Sequence, residues 1–159
     1  GPCAVGIEST ILDLSGTQAR ILRPGMQDAE AIAGILGAHP IVGGSPDAPR
    51  VSGSLEAHYA PRTPLRLATT DKLGELVRIA LQAGKSVAVL SAAAPPLTHE
   101  CLNWCRAATD ATQFAHDLYA RLREFDASGC DLILVATPPD DLRWSAVADR
   151  LKRAAAGSN

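Results

Sequence analysis

Aromatic side chains are scarce in this sequence: two Trp, two Tyr and two Phe among 159 residues. Any core must therefore be aliphatic. An excess of charge of either sign is also missing, since 15 Lys and Arg against 17 Asp and Glu leave a formal net charge of -2. That balance supplies no global field to hold nucleic acid. The four cysteines, Cys3, Cys101, Cys105 and Cys130, include neither a C-x-x-C pair nor zinc-ribbon spacing. Cys101 and Cys105, four apart, would share a face on a helix, and His99 and His116 are too scattered to complete a ligand set, so no metal site is expected. No apolar run approaches about 18 residues and there is no charged-then-apolar leader, which makes a reducing, cytoplasmic setting with no membrane contact the expectation.

What is present suffices for a folded chain. With 47% hydrophobic and 20% charged residues, disorder is excluded. Cys3 to Leu14 mixes β-branched and aliphatic residues with polar ones in rough alternation and stops at Ser15-Gly16, as a strand does. Ala19 to Leu22 predicts a second strand ending at Arg23-Pro24-Gly25. Proline then glycine suits the centre of a type II turn, which would set Arg23 at a fixed corner. Met26, Ala29, Ile32, Ala33 and Leu36 fall at helical spacing over Gln27 to Leu36, with Gly37 as the cap. Pro40 to Val42 suits one more short strand. Such a unit leaves one sheet face bare, so sheet neighbours are expected upstream of Gly1.

From Val51 to Pro61 the chain reads VSGSLEAHYAP, a linker in which His58 and Tyr59 place two hydrogen-bonding rings side by side. Beyond it the rhythm changes. Leu65-Arg66-Leu67 begins a strand, and Thr70 or Asp71 caps a helix carrying Leu73, Leu76, Val77, Ala80 and Leu81 on one face, ended by Gly84. Ser86 to Ser91 is an apolar run suited to a strand covered on both sides. Glu100 to Ala108 fits neither period clearly. Asp110 with Gln113 resembles a capping box ahead of the stripe Phe114, Ala115, Leu118, Tyr119, Leu122 and Phe125. Cys130 to Ala136 predicts another buried strand, and Trp144, Val147, Ala148, Leu151 and Ala155 the inner face of a closing helix. The basic cluster Arg150-Leu151-Lys152-Arg153 reads as a solvated helix face. Strands separated by helices predict right-handed crossovers and a small Rossmann-like, mainly parallel α/β sheet. Gly84-Lys85-Ser86 is no phosphate loop, because Ile79 stands where the leading glycine belongs and the order is helix then strand.

The series Gly6-Ile7-Glu8-Ser9-Thr10-Ile11-Leu12-Asp13, Ile21-Leu22-Arg23-Pro24-Gly25 and His58-Tyr59-Ala60-Pro61 resembles the Sua5/YrdC family of threonylcarbamoyl-AMP synthases. Downstream, Leu118-Tyr119, Leu122-Arg123, Asp126, Asp149-Arg150-Leu151 and Ala154-Ala155 resemble that family's Sua5 domain. The resemblance implies three parts: a C-terminal remnant of the YrdC-like catalytic domain over 1–50, an interdomain linker over 51–63 and the Sua5 domain over 64–159. The missing N-terminal YrdC-like part would hold most of the nucleotide and substrate, so this fragment alone is expected to be inactive.

The same resemblance implies the chemistry. L-threonine, bicarbonate and ATP, the last as its Mg2+ complex, would condense to threonylcarbamoyl-adenylate with release of pyrophosphate. The product would pass to downstream t6A transferase machinery acting on tRNA, and RNA binding would belong to the parent enzyme. Ser9 and Thr10 can hydrogen-bond the threonine carboxylate or carbamate; by resemblance Ser9 matches a threonine-contacting serine and Arg23 an ATP-contacting arginine. His58 would fix the linker's path and Tyr59 would act as a lid, although Leu55, Glu56 and Ala57 stand where one form of the family has basic residues. No catalytic nucleophile and no bound cofactor are expected. The competing reading makes 64–159 a non-catalytic regulatory or interaction domain, since no paired carboxylates or activated cysteine stand in it.

Overall fold

Val87–Ser91 is buried at every position, as a strand must be when both its faces and both its edges are covered. The computed structural model describes residues 6–7, 9–43 and 60–158, and this strand lies inside the larger of its two sheets. Four parallel strands form that sheet: β4 (Leu65–Ala68), β5 (Val87–Ser91), β6 (Leu102–Arg106) and β7 (Leu132–Ala136), in the order β4-β7-β5-β6. Helix α2 (Thr70–Gln82) connects β4 to β5, and α3 (Ala111–Ala127) connects β6 to β7. A short 3₁₀ turn, Leu142–Trp144, then leads into α4 (Ser145–Gly157).

Side-chain alternation along the strands divides the core in two. Val87 and Val89 of β5, with Leu134 of β7, meet Leu73, Val77 and Ala80 of α2. Ala88 and Leu90, with Ile133 and Val135, face Leu118, Leu122 and Phe125 of α3 and Val147 and Leu151 of α4. Phe114 meets Trp144 edge to face, with ring centroids 5.4 Å apart. Two distant polar ties close this unit. Leu65 N–H donates to Ser158 Oγ at 2.8 Å, while the Thr63 backbone N–H and hydroxyl donate to Asp126 Oδ1 at 2.8 and 2.9 Å.

The smaller sheet has three strands, β1 (Ile11–Asp13), β2 (Arg20–Arg23) and β3 (Ile41–Val42), with α1 (Ala29–Leu36) between the last two. β1 pairs antiparallel with β2 through an irregular register at Ile11/Leu12, and β2 pairs parallel with β3. Asp28 caps α1 by accepting from Ala31 N–H at 2.8 Å. At its other end Gly37, at φ +73°, donates to the Ala33 carbonyl at 2.8 Å.

Several expectations shift. β1 is shorter than predicted, and residues 3–5 and 8 of that stretch lie outside the described residues. The undecided segment Glu100 to Ala108 contains β6, so Cys105 lies on a strand and Cys101 in the preceding turn, not on a helix. Strand pairing to β5 decides this, because Leu102 to Arg106 hydrogen-bond in register with Val87 to Ser91. Thr69, one residue earlier than predicted, is the N-cap of α2. Asp110 does cap α3 by accepting from Gln113 N–H, but the Gln113 side chain turns forward to Asp117 instead of closing the box. At Gly84, φ is +72°. Gly84 N–H donates to Leu81 and Lys85 N–H to Ala80, so Gly84-Lys85-Ser86 terminates a helix in a Schellman motif.

Candidate functional site

Ser9-Thr10 and Arg23-Pro24-Gly25 are brought together by a backbone approach that only glycine permits. A Cβ on Gly25 would lie 2.4 Å from the Ser9 carbonyl carbon and from Thr10 N, and 2.5 Å from the Ser9 carbonyl oxygen. Gly25 is not among the positive-φ glycines, so the expected type II turn is not what forms here. The glycine is needed for contact across the chain and not for its own dihedral angles.

Two polar ties reinforce this approach. Arg23 Nε donates to the Ser9 carbonyl at 3.3 Å. Thr10 Oγ1 donates to the Gln27 carbonyl at 2.9 Å and accepts from Gln27 N–H at 3.1 Å. The Thr10 hydroxyl proton is therefore already engaged in fastening the segment before α1. Ser9 is exposed, and its hydroxyl has no hydrogen-bond partner among the described residues. Of the two adjacent hydroxyls, Ser9 has the donor available for a bound anion. His58 and Tyr59 lie outside the described residues.

Beside this corner, at the carboxyl end of β7, lies a cavity of about 460 Å³ lined by Leu22, Pro24, Val42, Trp144, Asp149 and Arg153, among others. The carboxyl edge of a parallel sheet is where such folds usually place ligands. Asp141, also on its wall, is gripped by the Arg143 guanidinium at 2.7 Å. Hydrogen bonds from the Arg143 side chain, then from its backbone N–H, lower the Asp141 carboxyl to about 2.

The basic cluster on α4 is not the solvated face expected from its composition. Arg150 and Arg153 side chains are only 10% and 19% exposed. Both converge on Asp149: Arg150 Nη1 at 2.6 Å, Arg153 Nε at 2.9 Å and Arg153 Nη2 at 3.0 Å. Lys152 alone of the three cations is exposed. The signal available in the sequence was the Asp149–Arg153 spacing of four, which puts opposite charges on one helix face.

Elsewhere, Cys101, Cys105 and Cys130 are free thiols. Among the described residues no three His, Cys, Asp or Glu side chains gather as a metal site, and no helix is long and apolar enough to cross a membrane.

A parallel α/β unit, with a second small sheet presenting a glycine-gated serine and arginine, defines an α/β protein with an anion-suited corner. Comparison with known proteins narrows this. Residues 19–156 match the family model described as threonylcarbamoyl-AMP synthase, C-terminal domain, and the chain belongs to that family. It is 30% identical over 164 residues to the threonylcarbamoyl-AMP synthase of Bacillus subtilis (strain 168), covering 99% of this chain and 47% of that protein. The Pyrococcus abyssi (strain GE5 / Orsay) threonylcarbamoyl-AMP synthase is 28% identical, over 97% of this chain and 47% of its own length. The crystal structure of P. abyssi Sua5 complexed with L-threonine superposes with a TM-score of 0.79 at 26% identity, over 98% of this chain and 47% of that one. A variant of P. abyssi Sua5 with an adjacent histidine and tyrosine changed to alanine shares the fold, with a TM-score of 0.74 at 23% identity over 98% of this chain and 46% of that one. The chain thus spans about half the length of the relatives it matches.

Proposed function

We propose that this chain works as the C-terminal part of an L-threonylcarbamoyladenylate synthase, divided into a catalytic-domain portion over 1–50, a linker over 51–63 and a Sua5 domain over 64–159. The observation that carries the reading is the convergence of Ser9, with its available hydroxyl, and Arg23 at one corner, in a chain of this family. The threonine complex of the P. abyssi relative supports threonine as a substrate.

In the proposed reaction, the threonine amine nitrogen attacks the carbon of bicarbonate, a C–O bond breaks with release of water to leave a carbamate, and a carbamate oxygen then attacks the α-phosphorus of ATP. The bond from that phosphorus to the bridging oxygen breaks, and pyrophosphate leaves. No covalent enzyme intermediate is needed. The protein must hold two anions in line and stabilise the charge that develops. Ser9 donates its hydroxyl to the threonine carboxylate or carbamate, while Thr10 keeps the segment in place. Arg23 keeps its Nε on Ser9 and presents its guanidinium charge to the ATP phosphates. ATP enters as its magnesium complex, so the ion comes with the substrate. His58 and Tyr59 serve the linker, Tyr59 as its lid, and the product feeds t6A synthesis on tRNA.

The test is pyrophosphate release by the complete protein carrying these residues. Release that requires threonine, bicarbonate and ATP together, and that is absent from the 159-residue chain alone, is the expected result. Release without threonine would overturn the assignment, and full activity in the short chain would overturn the division of the site.

A further inference from the structure

Helices α3 and α4 both make close contact with the segments that carry the candidate site. Gly6 lies against α3 so tightly that a Cβ on it would meet the Ala115 carbonyl oxygen at 2.0 Å and His116 Cα at 2.5 Å. Ile7 follows it into the core cluster that holds the buried residues of α3 and α4, two residues before Ser9. From α4, Arg150 Nη2 donates to the Pro24 carbonyl at 3.2 Å, across 126 positions of sequence. That carbonyl belongs to the residue between Arg23 and Gly25.

The surroundings of Arg150 leave it little freedom. A guanidinium this far from water needs a counter-charge and acceptors in its own plane. Asp149 supplies the charge, and Arg153 holds both oxygens of Asp149 as well. With the carboxylate fixed by two arginines, the second arm of Arg150 has a set direction, and Pro24 lies in it. Gly25 in turn is in backbone contact with Ser9 and Thr10, so displacement of Pro24 is transmitted to all three.

We propose that Arg150 is a positioning residue: from the four-stranded unit it sets the Arg23-Pro24-Gly25 corner and, through Gly25, the Ser9 segment. Its kinetic consequence rests on the synthase reading given above; its structural consequence does not. Lysine is a poor substitute, because one ammonium cannot present a planar fork to Asp149 and Pro24 together.

Two measurements test this. In hydrogen exchange on the 159-residue chain, Arg150→Met keeps the aliphatic bulk and leaves Asp149 paired with Arg153. It should speed exchange at Gln27, whose N–H donates to Thr10 Oγ1, by about fivefold or more, with β5 and β7 unchanged. In the complete enzyme, the same variant should raise KM for ATP about fivefold while kcat stays within about twofold, and Arg150→Lys should fall between it and the parent. Should Arg150→Met fail to fold, Arg150→Lys carries the same comparison. Unchanged exchange at Gln27, or equal loosening of β5 and β7, would overturn the proposal. Local loosening at the corner in a parent enzyme that releases no threonine-dependent pyrophosphate would uphold the contact and sink the synthase reading instead.

Discussion

The two sheets differ in how well they are covered and in what they carry. In the four-stranded unit, Val87, Ala88, Val89, Ile133, Leu134 and Val135 are at most 1% exposed. In the three-stranded unit Leu14, Met26, Ile35, Leu36 and Val42 are exposed, Ile35 to 87%, and α1 buries only Ile32. Yet Ser9, Thr10 and Arg23 belong to the thinly packed unit. Packing and candidate chemistry are thus separated, and the better-packed unit contributes Arg150 and the Gly6 seat as external support. A short sheet with little core of its own holds a precise corner when a rigid neighbour grips it.

The largest effect expected from breaking this contrast lies in the four-stranded unit. Leu118→Ala, at a residue 1% exposed, should cost about 2–5 kcal/mol in urea unfolding, whereas Ile35→Ala should stay within about 0.5 kcal/mol. Equal losses at the two positions would erase the distinction. Next is Gly25→Ala, which forces a methyl group into the Ser9 backbone and should cost about 1–3 kcal/mol, with threonine binding in the complete enzyme lost together with stability.

Smaller effects sharpen the picture within each unit. Thr10→Val removes both hydrogen bonds to Gln27 and should destabilise by about 1 kcal/mol, while Ser9→Ala should leave the melting temperature unchanged. At Asp126, burial pushes the carboxyl up, but hydrogen bonds from the Thr63 backbone and hydroxyl, with Arg62, outweigh it and hold the group below its ordinary 3.8. A depressed carboxylate stabilises the fold above its unfolded pKa, and that contribution is lost as pH falls through the lower folded value. Asp126→Asn should therefore flatten the acid side of the stability curve below about pH 4, by under about 1 kcal/mol because the group is partly solvated. An acid limb identical to the parent's would remove Asp126 from the account.

Much of this was legible before any coordinates. Unbroken apolar runs announced β5 and β7, since a strand covered on both faces has no polar side to display. The stripe from Phe114 to Phe125 announced α3, and Gly37 and Gly84 announced helix ends through their φ > 0 preference. β6 escaped because Asn103 and Arg106 face outward on a strand that covers only one edge of β5, so its apolar signal is weak. The role of Gly25 escaped because a sequence cannot show which distant backbone a missing Cβ would strike. Ser9 and Thr10 are adjacent hydroxyls able to meet the same anion, and only the structure shows that Thr10's is engaged by Gln27. Arg150 and Arg153 looked solvated because composition counts charges and does not reveal that Asp149 and the Pro24 carbonyl face them.

The most direct measurement is steady-state pyrophosphate release by the complete enzyme carrying Ser9→Ala, with threonine varied at saturating ATP and bicarbonate. Loss of a charge-assisted hydrogen bond predicts a KM for threonine raised about tenfold, an unchanged KM for ATP and an unchanged melting temperature. A KM for threonine equal to the parent's would contradict the assignment of this corner as the threonine site.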